Sequence, residues 1–167
     1  THQLNFIYND SDWICPAEYP DLSQATEIAI DLETKDPNIK TKGPGWATFD
    51  GHIVGFAVAA LGQQWYFPIA HDAGGNMDLS ITCAWMQDVL KTNATKIFHN
   101  ASYDVGWLLV NGFEIRGKIV DTMIAAALIN ENRFSFSLNA CAKDYLGEIK
   151  NETFLNEKAK EWGIDPK

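Results

Sequence analysis

Between residues 25 and 69 apolar positions come in short runs bounded by turn formers, and from residue 80 onwards they recur at helical spacing. A strand is predicted over Ala25 to Leu32, after a lead-in (1–25) in which Leu4 to Tyr8 reads as a short edge strand and Pro16 and Pro20 interrupt the chain. Lys35 to Phe49 has no period and is rich in Lys, Gly and Pro, the pattern of a loop. Gly51 to Ala60 and Gln64 to Ile69 read as two strands joined at Leu61-Gly62, a hairpin. Ala70 to Met77 is a further loop. Ile81, Trp85, Met86, Val89 and Leu90 define a helix over 80–91, with Asp78 or Ser80 placed to cap it. Thr95 to Phe98 is a short buried strand, and Ala101 to Val110 a helix stopped by Asn111-Gly112. Gly117 to Val120 is another strand, followed by helices over 122–130 (capped by Asp121), 137–146 (closed by Gly147) and 154–162. Three antiparallel strands followed by alternating helices and strands predict an α/β domain with a mixed sheet, the order of ribonuclease H-like folds.

Composition narrows this little. The 167 residues suit one domain, 1–167, and 46% hydrophobic with 21% charged residues are globular values. No apolar run reaches the length of a membrane span. Cys15, Cys83 and Cys141 are widely separated, which suits small core residues in a reducing compartment and argues against structural zinc. Thr1 in place of an initiator Met suggests an internal or processed end. The formal charge of −9 disfavours tight sequence-independent binding to duplex DNA, although metal-ligating acids would account for part of it.

The candidate chemistry begins in Glu27-Ile28-Ala29-Ile30-Asp31-Leu32-Glu33-Thr34. Strand alternation puts Asp31 and Glu33 side by side on one face, where they repel unless a cation lies between them. Hard Mg²⁺ or Mn²⁺ prefers carboxylate oxygen. The alternative is a strand ending in a solvated turn, with Lys35 softening the repulsion. A second signal is Phe98-His99-Asn100-Ala101-Ser102-Tyr103-Asp104, where a strand delivers polar residues to its C-terminal end. Asp104 falls in the first helical turn, a position the helix dipole favours for any acid. Tyr103 and Asn100 share that rim and could stack on a base or bond a phosphate. The basic 35–49 loop is either solvated or a phosphate contact, and His71 either a backbone-bonded loop histidine or a residue near substrate.

Taken together, strand-end Asp-x-Glu and the later Asn-x-x-Tyr-Asp resemble the first two motifs of the DnaQ-like 3′–5′ exonucleases. The likeness is to the proofreading domain of family A DNA polymerases of phages and bacteria. It extends through Gly51 to Phe56, Tyr66 to Asp72, Val120 to Met123, Ser137 to Asn139 and Tyr145 to Gly147. The resemblance implies hydrolysis of 3′-terminal phosphodiesters of single-stranded DNA with two divalent cations, Mg²⁺ or Mn²⁺. On that likeness Asp31, Glu33 and Asp104 are the catalytic, metal-holding residues. Leu32, Thr34, Asn100 and Tyr103 then meet the 3′ end. Asp121 matches a family position but is explained as a helix cap. A covalently linked polymerase domain, a monomeric state and a bacterial or phage-infected cytoplasm are implied as well.

One part of the pattern is missing. The family's third motif, a Tyr or His followed four residues later by a metal-binding Asp, has no counterpart in 148–167. A domain lacking its C-terminal part, with little activity in this fragment, is therefore expected. Three other readings stand beside this one: a ribonuclease D-type RNA exonuclease, an inactive DnaQ-like structural or DNA-holding module, and a plain α/β binding module.

Overall fold

The computed structural model describes residues 14–72 and 74–148. The edge strand expected at Leu4 to Tyr8 and the helix expected at 154–162 lie outside them. The chain groups into two compact units, residues 1–122 and 123–167.

The first unit holds a five-stranded sheet. Its strands are β1 (Glu27–Lys35), β2 (His52–Ala60), β3 (Gln63–Pro68), β4 (Thr95–Phe98) and β5 (Ile119–Asp121). The spatial order is β3-β2-β1-β4-β5, with β1, β2 and β3 antiparallel and β4 and β5 parallel additions. This is the mixed sheet that the sequence predicts. Leu61 and Gly62 both take positive φ (53° and 74°), which matches the right-handed twist of a tight hairpin.

One sheet face is apolar. Ile30 and Leu32 of β1 pair in register with Val58 and Phe56 of β2, and Phe56 with Phe67 of β3; all are buried, as is Ile28. Helix α3 (Leu79–Lys91) adds Met86, Val89 and Leu90 to this core. The Trp85 ring lies 4.5 Å from that of Phe67, and Tyr19 stacks against Phe67 at 5.7 Å. Asp78 caps α3 by accepting the Ile81 N–H at 2.9 Å. At the other end, the fully buried Lys96 ammonium donates to the carbonyls of Thr92, Ala94 and Arg116 and to the Thr92 hydroxyl. A lysine inside the core is thus satisfied entirely by oxygen dipoles, joining the end of α3 to β4 and the approach to β5.

The 35–49 stretch departs from the expected loop. It forms two short helical turns, α1 (Ile39–Lys42) and α2 (Gly45–Thr48). No apolar period marks them because tertiary contacts hold them: Asp36 accepts the Gly45 N–H at 2.8 Å, and the Trp46 ring covers Gly106. Helix α4 (Ala101–Val110) follows β4, with Ala101, Asp104, Trp107 and Leu108 as its buried stripe.

The second unit contains the body of α5 (Thr122–Ile129) and α6 (Leu138–Leu146). Ser137 caps α6 through the Ala140 N–H, and Gly147 ends it at φ 73°. Arg133 pairs with Asp144 at 2.9 Å and lies over the Tyr145 ring. Cys141 is buried, as expected of a core cysteine, while Cys15 and Cys83 are half-buried. Among the described residues, no helix is long and apolar enough to cross a membrane.

Candidate active site

Asp31 and Glu33 project from the sheet face opposite the core, both exposed, between buried Ile30, Leu32 and half-buried Thr34. The alternation read in the sequence therefore holds. Lys35, the residue placed in sequence to soften their repulsion, pairs with Asp72 at 2.8 Å. On β2 the residues opposite them are Ala57 and Gly55, so the two acids overlook small neighbours.

Parallel pairing of β1 with β4 ends at Ala29, while β1 runs on to Lys35. The edge beyond Ala29 is met by α4 instead. Buried Asp104 accepts the Leu32 N–H at 3.1 Å, so its carboxylate binds β1 at the residue between Asp31 and Glu33. Asp104 is thus a long-range partner of the Asp-x-Glu strand, well beyond a dipole-favoured helix-start acid. Burial pushes its carboxyl up to about 7, and the charges of Asp31 and Asp121 push the same way, against the Leu32 hydrogen bond.

The turn from β4 into α4 is made by Asn100 at φ 65°, a left-handed conformation that asparagine tolerates better than most residues. Its N–H and that of Ala101 donate to Asp121 at 3.1 and 2.8 Å. Asp121, expected to cap the helix that follows it, thus holds the start of α4 and fixes the approach of Asp104. The Asn100 side chain accepts from the Ser102 hydroxyl.

A bulge between Glu33 and Thr34 shifts the register of β1 against β2. Beyond it the Thr34 and Tyr103 hydroxyls meet at 2.8 Å, and Tyr103 donates to Asp36 at 3.0 Å. Thr34 and Tyr103 therefore meet directly, and Asp36, which the sequence reading does not single out, is a further partner of Tyr103. Asp36 had no signal beyond its closeness to the acidic strand. Tyr66 was likewise not singled out: its hydroxyl passes over Gly55, where an added Cβ would lie 2.1 Å from it, and bonds His71 Nε2. Burial, and then the charge of Glu33, pushes the Tyr66 phenol up to about 12. The His71 backbone exchanges hydrogen bonds with the Asn76 side chain, which anchors the loop.

The donor set fits a hard divalent cation in chemistry: two carboxylates on one face, and a third whose ionisation they oppose. Among the described residues, no three His, Cys, Asp or Glu side chains are gathered closely enough to enclose an ion.

A mixed sheet with an Asp-x-Glu strand and a helix acid bonded to it defines the nuclease class with the ribonuclease H-like fold. The 3′–5′ exonuclease model of A-type DNA polymerases matches residues 19–167, and the chain belongs to that family. It is 34% identical to a DNA-directed DNA polymerase of Pseudomonas phage M6, over 97% of this chain and 26% of the phage protein. It is 30% identical to DNA polymerase DpoZ of Salmonella phage PMBT28, over 88% and 21% respectively. The chain thus spans about a quarter of the length of these polymerases. Among solved structures, Brucella melitensis NrnC with bound Mg²⁺ superposes with TM-score 0.57 at 19% identity, over 81% of this chain and 61% of NrnC. Pol1 of M. smegmatis gives TM-score 0.55 at 20% identity, over 76% and 20%. These likenesses establish the fold.

Proposed function

We propose that this 3′–5′ exonuclease domain removes nucleotides from the 3′ end of single-stranded DNA, as the proofreading part of a phage or bacterial polymerase. The observation that carries the reading is Asp104 bonded to the Leu32 N–H between Asp31 and Glu33, its carboxyl held near 7. Asp31, Glu33 and Asp104 would hold two divalent cations, Mg²⁺ or Mn²⁺. Bound there, these supply the Lewis acidity that phosphodiester hydrolysis requires.

The remaining residues bind and orient. The paired hydroxyls of Thr34 and Tyr103 form a rim beside the acids for the terminal sugar and phosphate. The Leu32 backbone, committed to Asp104, keeps helix and strand in register as the substrate enters. Asn100 stands at the start of α4, where the N-terminal dipole favours a phosphate. A polymerase domain in the same polypeptide, in the cytoplasm of a bacterial host, would supply mispaired 3′ ends.

The test is calorimetric titration of Mn²⁺ into the chain. Binding heat that vanishes in Asp31→Ala and weakens in Asp104→Asn is expected; no heat at millimolar metal overturns the assignment of these acids. In a polymerase carrying this domain, Asp31→Ala is expected to abolish 3′ shortening of a 5′-labelled single strand.

A further inference from the structure

Phe49 combines two costly features. Its side chain is 87% exposed, and its backbone lies in the left-handed region (φ 56°, ψ 39°), which bulky residues rarely adopt. Neither contributes to stability, and the surrounding segment is firmly anchored. The Phe49 N–H donates to the Gly45 carbonyl, as does that of Asp50 at 3.0 Å. Gly45 is bonded to Asp36, and Trp46 is packed on Gly106 of α4. The aromatic ring is therefore displayed by a rigid base.

Two lysines lie in the same short segment. Lys42 lies 3.8 Å from Asp50, the residue following Phe49, with its own side chain 60% exposed. Lys40 is exposed on the same helical turn as Lys42. In a chain of net charge −9, these lysines stand out. The same Asp36 carboxylate that holds Gly45 also receives the Tyr103 hydroxyl, so the segment is tied directly to the rim of the candidate active site. An aromatic face near exposed ammonium groups is the chemistry that recognises single-stranded nucleic acid, by base stacking and phosphate neutralisation.

We propose that Phe49, with Lys40 and Lys42, forms a subsite for single-stranded DNA outside the catalytic pocket, in which a base stacks on Phe49 and the lysines meet adjacent phosphates. The subsite gives the chain a hold on nucleotides upstream of the 3′ end, where the acids repel the strand. It rests on the reading of the substrate given above.

Fluorescence anisotropy with 5′-fluorescein dT12 in EDTA, where no metal-dependent cleavage proceeds, tests it on the 167-residue chain. Phe49→Ala is expected to weaken binding about tenfold, and Phe49→Trp to restore it. Lys40→Ala with Lys42→Ala should flatten the slope of log affinity against log salt by about 0.7 for each lost phosphate contact. Phe49→Gly should lose binding as alanine does while its Tm is no lower than wild type, since glycine accepts the left-handed backbone freely. Unchanged affinity in the alanine variants, or no wild-type binding, overturns the subsite. The exonuclease reading is scored separately by Asp31→Asn, which should tighten dT12 by removing a repelling charge. No effect there, with Phe49→Ala still weakening binding, sinks that reading and leaves the subsite standing.

Discussion

Asp104 accepts the backbone N–H of Leu32, so the acid on α4 is fastened to β1 midway between Asp31 and Glu33. The bond uses a donor that β1 has free only because its pairing with β4 stops at Ala29. An early end to one ladder thus makes room for the third acid.

The raised carboxyl of Asp104 makes stability depend on pH. Its folded pKa, about 7, lies above the ordinary carboxyl value of 3.8, so between these values the folded chain binds more protons than the unfolded one. Metal-free protein should therefore lose stability as pH rises from about 4 through 7, by a few kcal/mol at most. Asp104→Asn should remove most of that slope. Urea unfolding at several pH values in EDTA measures it, and a slope equal in both proteins contradicts the coupling.

Asp36 accepts from both Tyr103 and Gly45, and Asp36→Ala leaves two donors without their partner. The expected loss is about 1–3 kcal/mol, together with faster proteolysis within 36–50. Limited digestion followed by mass spectrometry locates the cuts; a cleavage pattern identical to wild type would count against this anchor.

At Gly106 an added Cβ would lie 2.4 Å from the Trp46 ring. Gly106→Ala should displace the indole and cost about 1–3 kcal/mol. A red shift in tryptophan emission, absent when Trp46 is already replaced by Phe, is the expected signature.

Lys96 presents a different balance. Lys96→Met keeps most of the unbranched apolar stem but strips the carbonyls of Thr92, Ala94 and Arg116 of their shared donor. A loss of about 2–4 kcal/mol by thermal unfolding is expected. A variant as stable as wild type would show that burying the ammonium costs as much as its four hydrogen bonds return.

How much of this was legible follows from the range of each interaction. The hairpin needed only Leu61-Gly62 between two apolar runs, and α3 only its apolar period and Asp78. Asp31 and Glu33 share a face because strand geometry requires it, with no knowledge of the rest of the chain. The α1–α2 segment was read as a loop because its helical turns carry no buried stripe of their own; Asp36 and Gly106 hold them from outside. Asp121 lies beside α5 in sequence, and only the structure shows that its carboxylate reaches the start of α4 some twenty residues earlier.

The local pattern of apolar and acidic residues therefore determined the strands, the helices and the two clusters of candidate ligands. Only the tertiary structure decided that Asp104 bonds Leu32, that Asp36 joins Thr34 and Tyr103 to the basic segment, and that Lys96 rests among carbonyls. The physical reason is that these are contacts of single polar atoms, several of them between distant parts of the chain, up to 72 residues apart. They leave no period in the sequence, because periodicity records which face of an element is buried and not which atom on another element it meets.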